Sequence, residues 1–169
     1  FNLVQLGIAS ARRILRMLND ETDLDENEAG HTAEMQGAVT FKNVRFGYDS
    51  EKPVLDGINF TVQPGQTVAI VGQTGSGKST LTRLINRIFD ADGGQILVDS
   101  VDVREWSLES LRSQISTIEQ DIFLFSRTLA ENIAFGVPDA TMDEIVAAAK
   151  SAQAHDFITG FADGYETEV

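Results

Sequence analysis

The stretch GQTGSGKST, Gly72 to Thr80, sets three glycines ahead of a lysine and two hydroxyls, and this combination suits the holding of a chain of phosphates. Gly72, Gly77, Lys78 and Ser79 satisfy GxxxxGK[ST], a pattern expected by chance roughly once in several tens of thousands of windows. Glycines admit backbone angles that turn successive N–H groups inward as an anion nest, and a following helix adds its positive dipole end. Lys78 can reach the β and γ phosphates, and the Ser79 hydroxyl can hold a magnesium ion. Gln73, Thr74, Gly75, Ser76 and Thr80 complete the stretch that would line the nucleotide.

Such a loop needs a strand before it and a helix after it. The apolar run QTVAIVG predicts the strand, and Leu81, Leu84, Ile85 and Ile88 form the stripe of a helix that faces a core. Upstream, AVTFKNVRFGY alternates Val39, Phe41, Val44 and Phe46 with polar residues, with one irregularity near Asn43. PVLDGINFTV then follows as a second strand, and QPGQ marks a turn. After a turn at DADGG comes the short strand QILVD. Ser107, Thr128 with Glu131, and Thr141 with Glu144 are helix starts, the last two being capping boxes, so the C-terminal third reads as mostly helical.

At the other end, Val4, Ile8, Ala11, Leu15 and Leu18 predict a helix over residues 3–19, with Arg12, Arg13 and Arg16 near its C-terminal end. The acidic run DETDLDENE follows, and no Lys or Arg occurs between Arg16 and Lys42, which predicts a solvated linker over 20–36. There is no internal repeat.

With 169 residues the chain is long enough for one domain with a core. Its 26 acidic against 13 basic side chains give a formal charge of −13, which repels nucleic acid backbones. The absence of cysteine removes disulfides, thiolate chemistry and cysteine-based zinc sites and is compatible with the cytosol. No run reaches the eighteen or so apolar residues of a membrane helix, so this chain is not expected to span a bilayer itself.

A phosphate loop alone does not choose among GTPase, small-molecule kinase and transport or motor ATPase. The guanine-reading NKxD is absent, and DADG at Asp90–Gly93 reads as a turn although it matches DxxG. The order VRFGYDSEKPVLDGINFTVQPGQTVAIVGQTGSGKSTLTRLINRIFDADGGQILVD and then LRSQISTIEQDIFLFSRTLAENIAFG resembles the nucleotide-binding domain of an exporter-type ABC transporter, over about residues 37 to 169. The resemblance implies an α/β fold, a partial P-loop NTPase core with an N-terminal antiparallel β-subdomain and the start of an α-helical subdomain. It identifies Gly72 to Thr80 with Walker A and Tyr48 with the aromatic residue that stacks on adenine. It identifies Gln120 with the Q-loop glutamine that contacts magnesium and the attacking water. Glu119 is an acid where the family more often has a small or neutral residue, and Ser100 stands where many relatives have glycine.

The resemblance further implies ATP and Mg2+ as ligands and an ABC-type ATPase in the parent protein, coupled to export. The partners would be a second nucleotide-binding domain and membrane-spanning domains, at the cytoplasmic face of a membrane. DIFLFSRTLAENI is similar to the segment that faces the membrane domain, and residues 1–19 resemble the end of an exporter's last transmembrane helix. Asp99 ends ILVD like a short Walker B strand, but in the family that strand precedes a surface turn. Walker B, its catalytic Glu, the LSGGQ signature and the switch His are absent, and neither His31 nor His155 matches the switch. The chain is thus expected to be part of a longer polypeptide that binds ATP here and does not turn it over alone. The alternatives are a non-catalytic nucleotide-binding or scaffold module, and a soluble P-loop ATPase using Asp99 as its metal ligand.

Overall fold

The computed structural model describes residues 10–15, 24–49, 52–119 and 123–169. Residues 10–15 are helical (α1), and the rest of the helix expected over 3–19 lies outside the described residues. Contacts divide the chain into two units, one ending at Ser116 and the other running Thr117–Val169.

The first unit is built on an antiparallel sheet of order β2-β1-β3-β4, from β1 (Val39–Phe46), β2 (Leu55–Val62), β3 (Gly93–Val98) and β4 (Val101–Asp102). Phe41, Val44 and Phe46 of β1 are all buried. Phe41 and Val44 are an odd number of residues apart, so strict alternation would send them to opposite faces. The register against β2 shifts between them, and Asn43 takes φ 48 there, which returns the later residues to the buried face. The Asn43 N–H donates to Asn59 Oδ1 at 2.8 Å. Across the sheet, a Cβ on Gly94 would collide with the Asn43 and Lys42 carbonyls, so glycine is required where β3 passes the bulge.

Helix α2 (Lys78–Ile85) is held by Leu81 and Leu84, both buried in the cluster that contains Phe41, Phe46, Leu55 and Trp106. Burying each leucine contributes roughly 1.5–3 kcal/mol, more than the intrinsic propensity of so short a helix can supply. The helix ends sooner than its apolar stripe suggested. Arg87 takes φ 47 and Ile88 is exposed, while the Arg112 guanidinium donates to the carbonyls of Asn86 at 3.1 Å and Arg87 at 2.7 Å.

The run TVAIV differs from its predicted strand. Among the described residues it forms no strand pairing, and Val71 is 89% exposed with Val68 and Ile70 also exposed. A strand exists through a neighbour's ladder, and the strands described here pair among themselves. QILVD, by contrast, lies in β3 as far as Val98.

The described part of the acidic stretch exposes Asp25, Glu26, Glu28 and Glu34 while its backbone is tied down. Asn27 Nδ2 donates to the Arg104 and Glu105 carbonyls at 3.2 and 3.0 Å, and the His31 N–H to the Glu105 carbonyl at 2.7 Å. Gln114 accepts the Met35 N–H at 2.8 Å and donates to the Ala33 carbonyl at 2.8 Å. His31 is exposed and meets the buried Trp106 edge-on at 4.5 Å. Trp106 immediately precedes Ser107, the cap of α3 (Leu108–Arg112).

The second unit contains α4 (Leu129–Ile133), α5 (Met142–Ser151) and α6 (His155–Thr159) around the buried Ala130, Ile145, Ala149 and Ile158. Both expected capping boxes form, Thr128 with Glu131 and Thr141 with Glu144. The end of the chain is tied to the start of α4, since the Leu129 N–H donates to Thr167 and the Val169 N–H to Arg127, at 2.9 and 3.1 Å. His155 Nδ1 lies 2.9 Å from the Tyr165 hydroxyl. Among the described residues no helix is long and apolar enough to cross a membrane. The α/β architecture with an antiparallel sheet is the one expected.

Candidate functional site

The loop Gly72–Gly77 closes through a turn in which the Ser76 N–H donates to the Gln73 carbonyl at 3.2 Å. Gly75 and Gly77 take φ of 83 and 89, a left-handed backbone that strains side-chain-bearing residues. Gly77 is also wedged against the start of β2: a Cβ there would stand 2.8 Å from Leu55 and 3.1 Å from Val54. At Gly72 a Cβ would meet Ser76 Oγ at 2.6 Å. Glycine is thus required at Gly77 twice over, for its φ and for its neighbours.

Gly77 is the N-cap of α2 and offers no side chain to the first turn. Its carbonyl accepts the N–H groups of Thr80 and Leu81 at 3.1 and 3.2 Å. The helix N-terminus therefore ends without a carboxylate or hydroxyl cap from its own chain, and α2 has no acidic residue in its first turn. That leaves amide donors and the positive dipole end for an anion. The Lys78 ammonium folds back over the loop, donating to the carbonyls of Gly72 and Gln73 at 2.9 Å each. Gln73, Thr74 and Ser76 are exposed along the loop, and Ser79 is exposed on α2 beside Lys78.

Tyr48 reaches this loop from the end of β1. Its hydroxyl lies 3.1 Å from Thr80 Oγ1, and Arg83 Nη1 donates to it at 3.4 Å. Its ring meets Phe46 and Phe89 at 84° and 87°, with centroids 5.1 and 5.4 Å apart. The hydrogen bond with Thr80, aided by Arg83, holds the phenol below its ordinary pKa against a smaller opposing effect of burial. Half of the Tyr48 surface, 53%, remains open, whereas Thr80 is buried at 4%.

Tyr48 and Gly72 to Thr80 thus converge in the first unit. Gln120 lies outside the described residues. Asp99 is spent elsewhere, because its carboxylate accepts the N–H groups of Gln36, Gly37 and Ala38 at 2.6, 3.3 and 2.8 Å. Both oxygens are in use, which argues against a metal-ligand role. Among the described residues no group of three or more histidine, aspartate or glutamate side chains could hold a metal ion. Phe89, Arg83 and Phe46 were not foreseen around Tyr48. The spacing of Thr80 and Arg83, three apart on α2, was the available signal for Arg83; Phe89 had none.

A family model described as ABC transporter matches residues 55–168. The chain is 42% identical over 170 residues to the uncharacterized ABC transporter ATP-binding protein YknV of Bacillus subtilis (strain 168), covering 100% of this chain and 28% of that protein. It is 45% identical over 165 residues to the putative multidrug export ATP-binding/permease protein YgaD of the same organism, covering 96% of this chain and 28% of that protein. A solved bacterial Atm1-family ABC exporter with ATP bound superposes with a TM-score of 0.85 at 37% identity, covering 98% of this chain and 30% of that one. The chain therefore spans less than a third of the length of each of these relatives.

Proposed function

Because this chain belongs to the ABC transporter family, we propose that Gly72 to Thr80 binds the phosphates of Mg-ATP, with Tyr48 against the adenine, in a protein that couples ATP hydrolysis to export across a membrane. The observation that carries the reading is the meeting of Tyr48 with Thr80 at 3.1 Å, which sets a half-open aromatic ring beside an uncapped helix N-terminus. An aromatic face and an amide-lined anion nest are the two halves of a nucleotide site.

The residues divide the work. The glycine-rich loop and the N-terminal amides of α2 receive phosphate oxygens, and Lys78 leaves the Gly72 and Gln73 carbonyls for the β and γ phosphates. The Ser79 hydroxyl and Gln120 hold the metal, and Gln120 also orients the attacking water. Bound magnesium supplies positive charge where negative charge accumulates during phosphoryl transfer. Transfer to water also needs a base, and among the described residues the loop Gly72–Thr80 carries none, so binding without turnover is the expectation for this chain alone. A second nucleotide-binding domain and membrane-spanning domains are the partners, at the cytoplasmic face of a membrane. The exposed Phe123, at 75%, supports a docking role toward the membrane-spanning domains for the segment 121–133.

The test is Mg-ATP binding and phosphate release by the chain beside Lys78→Ala. Loss of a charged hydrogen-bond donor predicts affinity lower by roughly ten- to a hundredfold, with no release from either protein. Unchanged affinity would sink the site, and Lys78-dependent release by this chain would show that its base lies within these residues.

A further inference from the structure

The acidic segment before β1 meets α3 at both ends, and α3 in turn holds the far end of the phosphate helix. Leu108, the first residue of α3, donates its N–H to the Glu26 carbonyl at 3.0 Å, and the Ser107 N–H donates to the His31 carbonyl at 3.0 Å. Past the other end, the Gln114 amide that reaches the Ala33 carbonyl also donates to the Ser110 carbonyl, at 3.0 Å. Residues 26–35 therefore form a strap over α3. The fit is close, since a Cβ on Gly30 would stand 2.7 Å from the Ser107 nitrogen. With only five residues, α3 is too short to persist without such support. Its last residue, Arg112, carries the contacts onward by donating to the carbonyls of Asn86, the C-cap of α2, and of Arg87. The phosphate loop lies at the opposite end of that helix.

We propose that this strap regulates the nucleotide site: when seated it holds α3 and, through Arg112, the C-terminal end of α2, and so keeps the phosphate loop preset for Mg-ATP. This rests on the reading of the loop as an ATP site. The two-state element is α3, formed under a seated strap and frayed under a released one. Linkage makes the effect reciprocal, so bound nucleotide favours seating by the same factor as seating favours nucleotide. The strap also continues the chain from residues 1–19, which resemble the end of a transmembrane helix. Movement of that helix would thus reach the phosphate loop by a route separate from the docking segment.

The experiment measures hydrogen exchange and equilibrium Mg-ATP affinity on the full-length protein. In the wild type, saturating Mg-ATP is expected to slow exchange at the His31 and Met35 amides roughly fivefold beyond any slowing at the β2 amides. Gln114→Leu removes the partner of Met35 and Ala33, and it is expected to quicken exchange in the strap and weaken Mg-ATP roughly fivefold. Arg112→Met keeps much of the side chain's bulk and cuts the link to α2. It is expected to weaken Mg-ATP to the same extent, to abolish the response of the strap amides, and to leave Gln114→Leu without further effect on affinity. The proposal is overturned if Mg-ATP slows the strap amides no more than those of β2, if Gln114→Leu quickens strap exchange with affinity unchanged, or if the two losses multiply. The wild-type arm needs no substitution, so it decides even for a variant that does not fold. Lys78→Ala separates the two failures. Affinity intact in that variant would remove the phosphate site and the coupling with it, whereas affinity lost there beside unresponsive wild-type strap amides would remove the coupling alone.

Discussion

Asp99 and Ala38 bind each other in both directions. The Asp99 carboxylate accepts the Ala38 N–H at 2.8 Å, and the Asp99 N–H donates to the Ala38 carbonyl at 2.9 Å. The same carboxylate gathers the N–H groups of Gln36 and Gly37, so one acid ends β3 and fixes the entry into β1. Asp99→Ala strands three amides and is expected to cost about 1–3 kcal/mol in urea denaturation, with Mg-ATP affinity retained. A variant that keeps its stability and loses magnesium-dependent binding would make Asp99 a metal ligand instead.

Gly77→Ala combines two penalties at one position. A left-handed backbone costs an alanine roughly 1–2 kcal/mol, and the added methyl stands 2.8 Å from Leu55, whose burial anchors β2. The expected result is a loss of stability larger than the backbone term alone. Relief of that excess in Gly77→Ala with Leu55→Ala, after allowing for Leu55→Ala by itself, would establish the steric part.

Acid should weaken the first unit through Asp102. Burial works to raise its pKa, but the side-chain and backbone hydrogen bonds of Arg104, at 2.7 to 3.0 Å, outweigh this and leave it below the ordinary carboxylate value. A lowered folded-state pKa contributes stability that is complete above the unfolded value, near 3.8, and disappears as pH falls through the folded value. Denaturation of wild type and Asp102→Asn is expected to differ at pH 6 and to converge on acidification below about pH 4. Parallel curves over the whole range would mean that the carboxylate's charge contributes nothing.

Thr128→Ala removes the hydroxyl that accepts the Glu131 N–H at 3.1 Å at the head of α4. Losing such a cap costs about 1 kcal/mol. Hydrogen exchange should quicken at the α4 amides and leave β1 unchanged. Equal quickening in β1 would show that the cap supports more than its own helix.

What the sequence determined by itself is mostly local. The phosphate loop, the helix that follows it and both capping boxes depend on residues a few positions apart, and for these composition and spacing carry the physics. The irregularity near Asn43 was legible for the same reason, since a break in alternation must be absorbed by the backbone. Tertiary structure decided what depends on a neighbour from elsewhere. TVAIV has the residues of a strand, but a ladder needs a partner, and no described strand provides one. Asp99 ends a strand as a metal-binding acid would, yet three amides distant in sequence take its oxygens. Tyr48 and Thr80 lie 32 residues apart, and only the core shared by the sheet and α2 brings the aromatic ring to the phosphate loop. Long-range pairings of this kind have no periodicity to read, because they arise from how separately formed elements bury their apolar faces together.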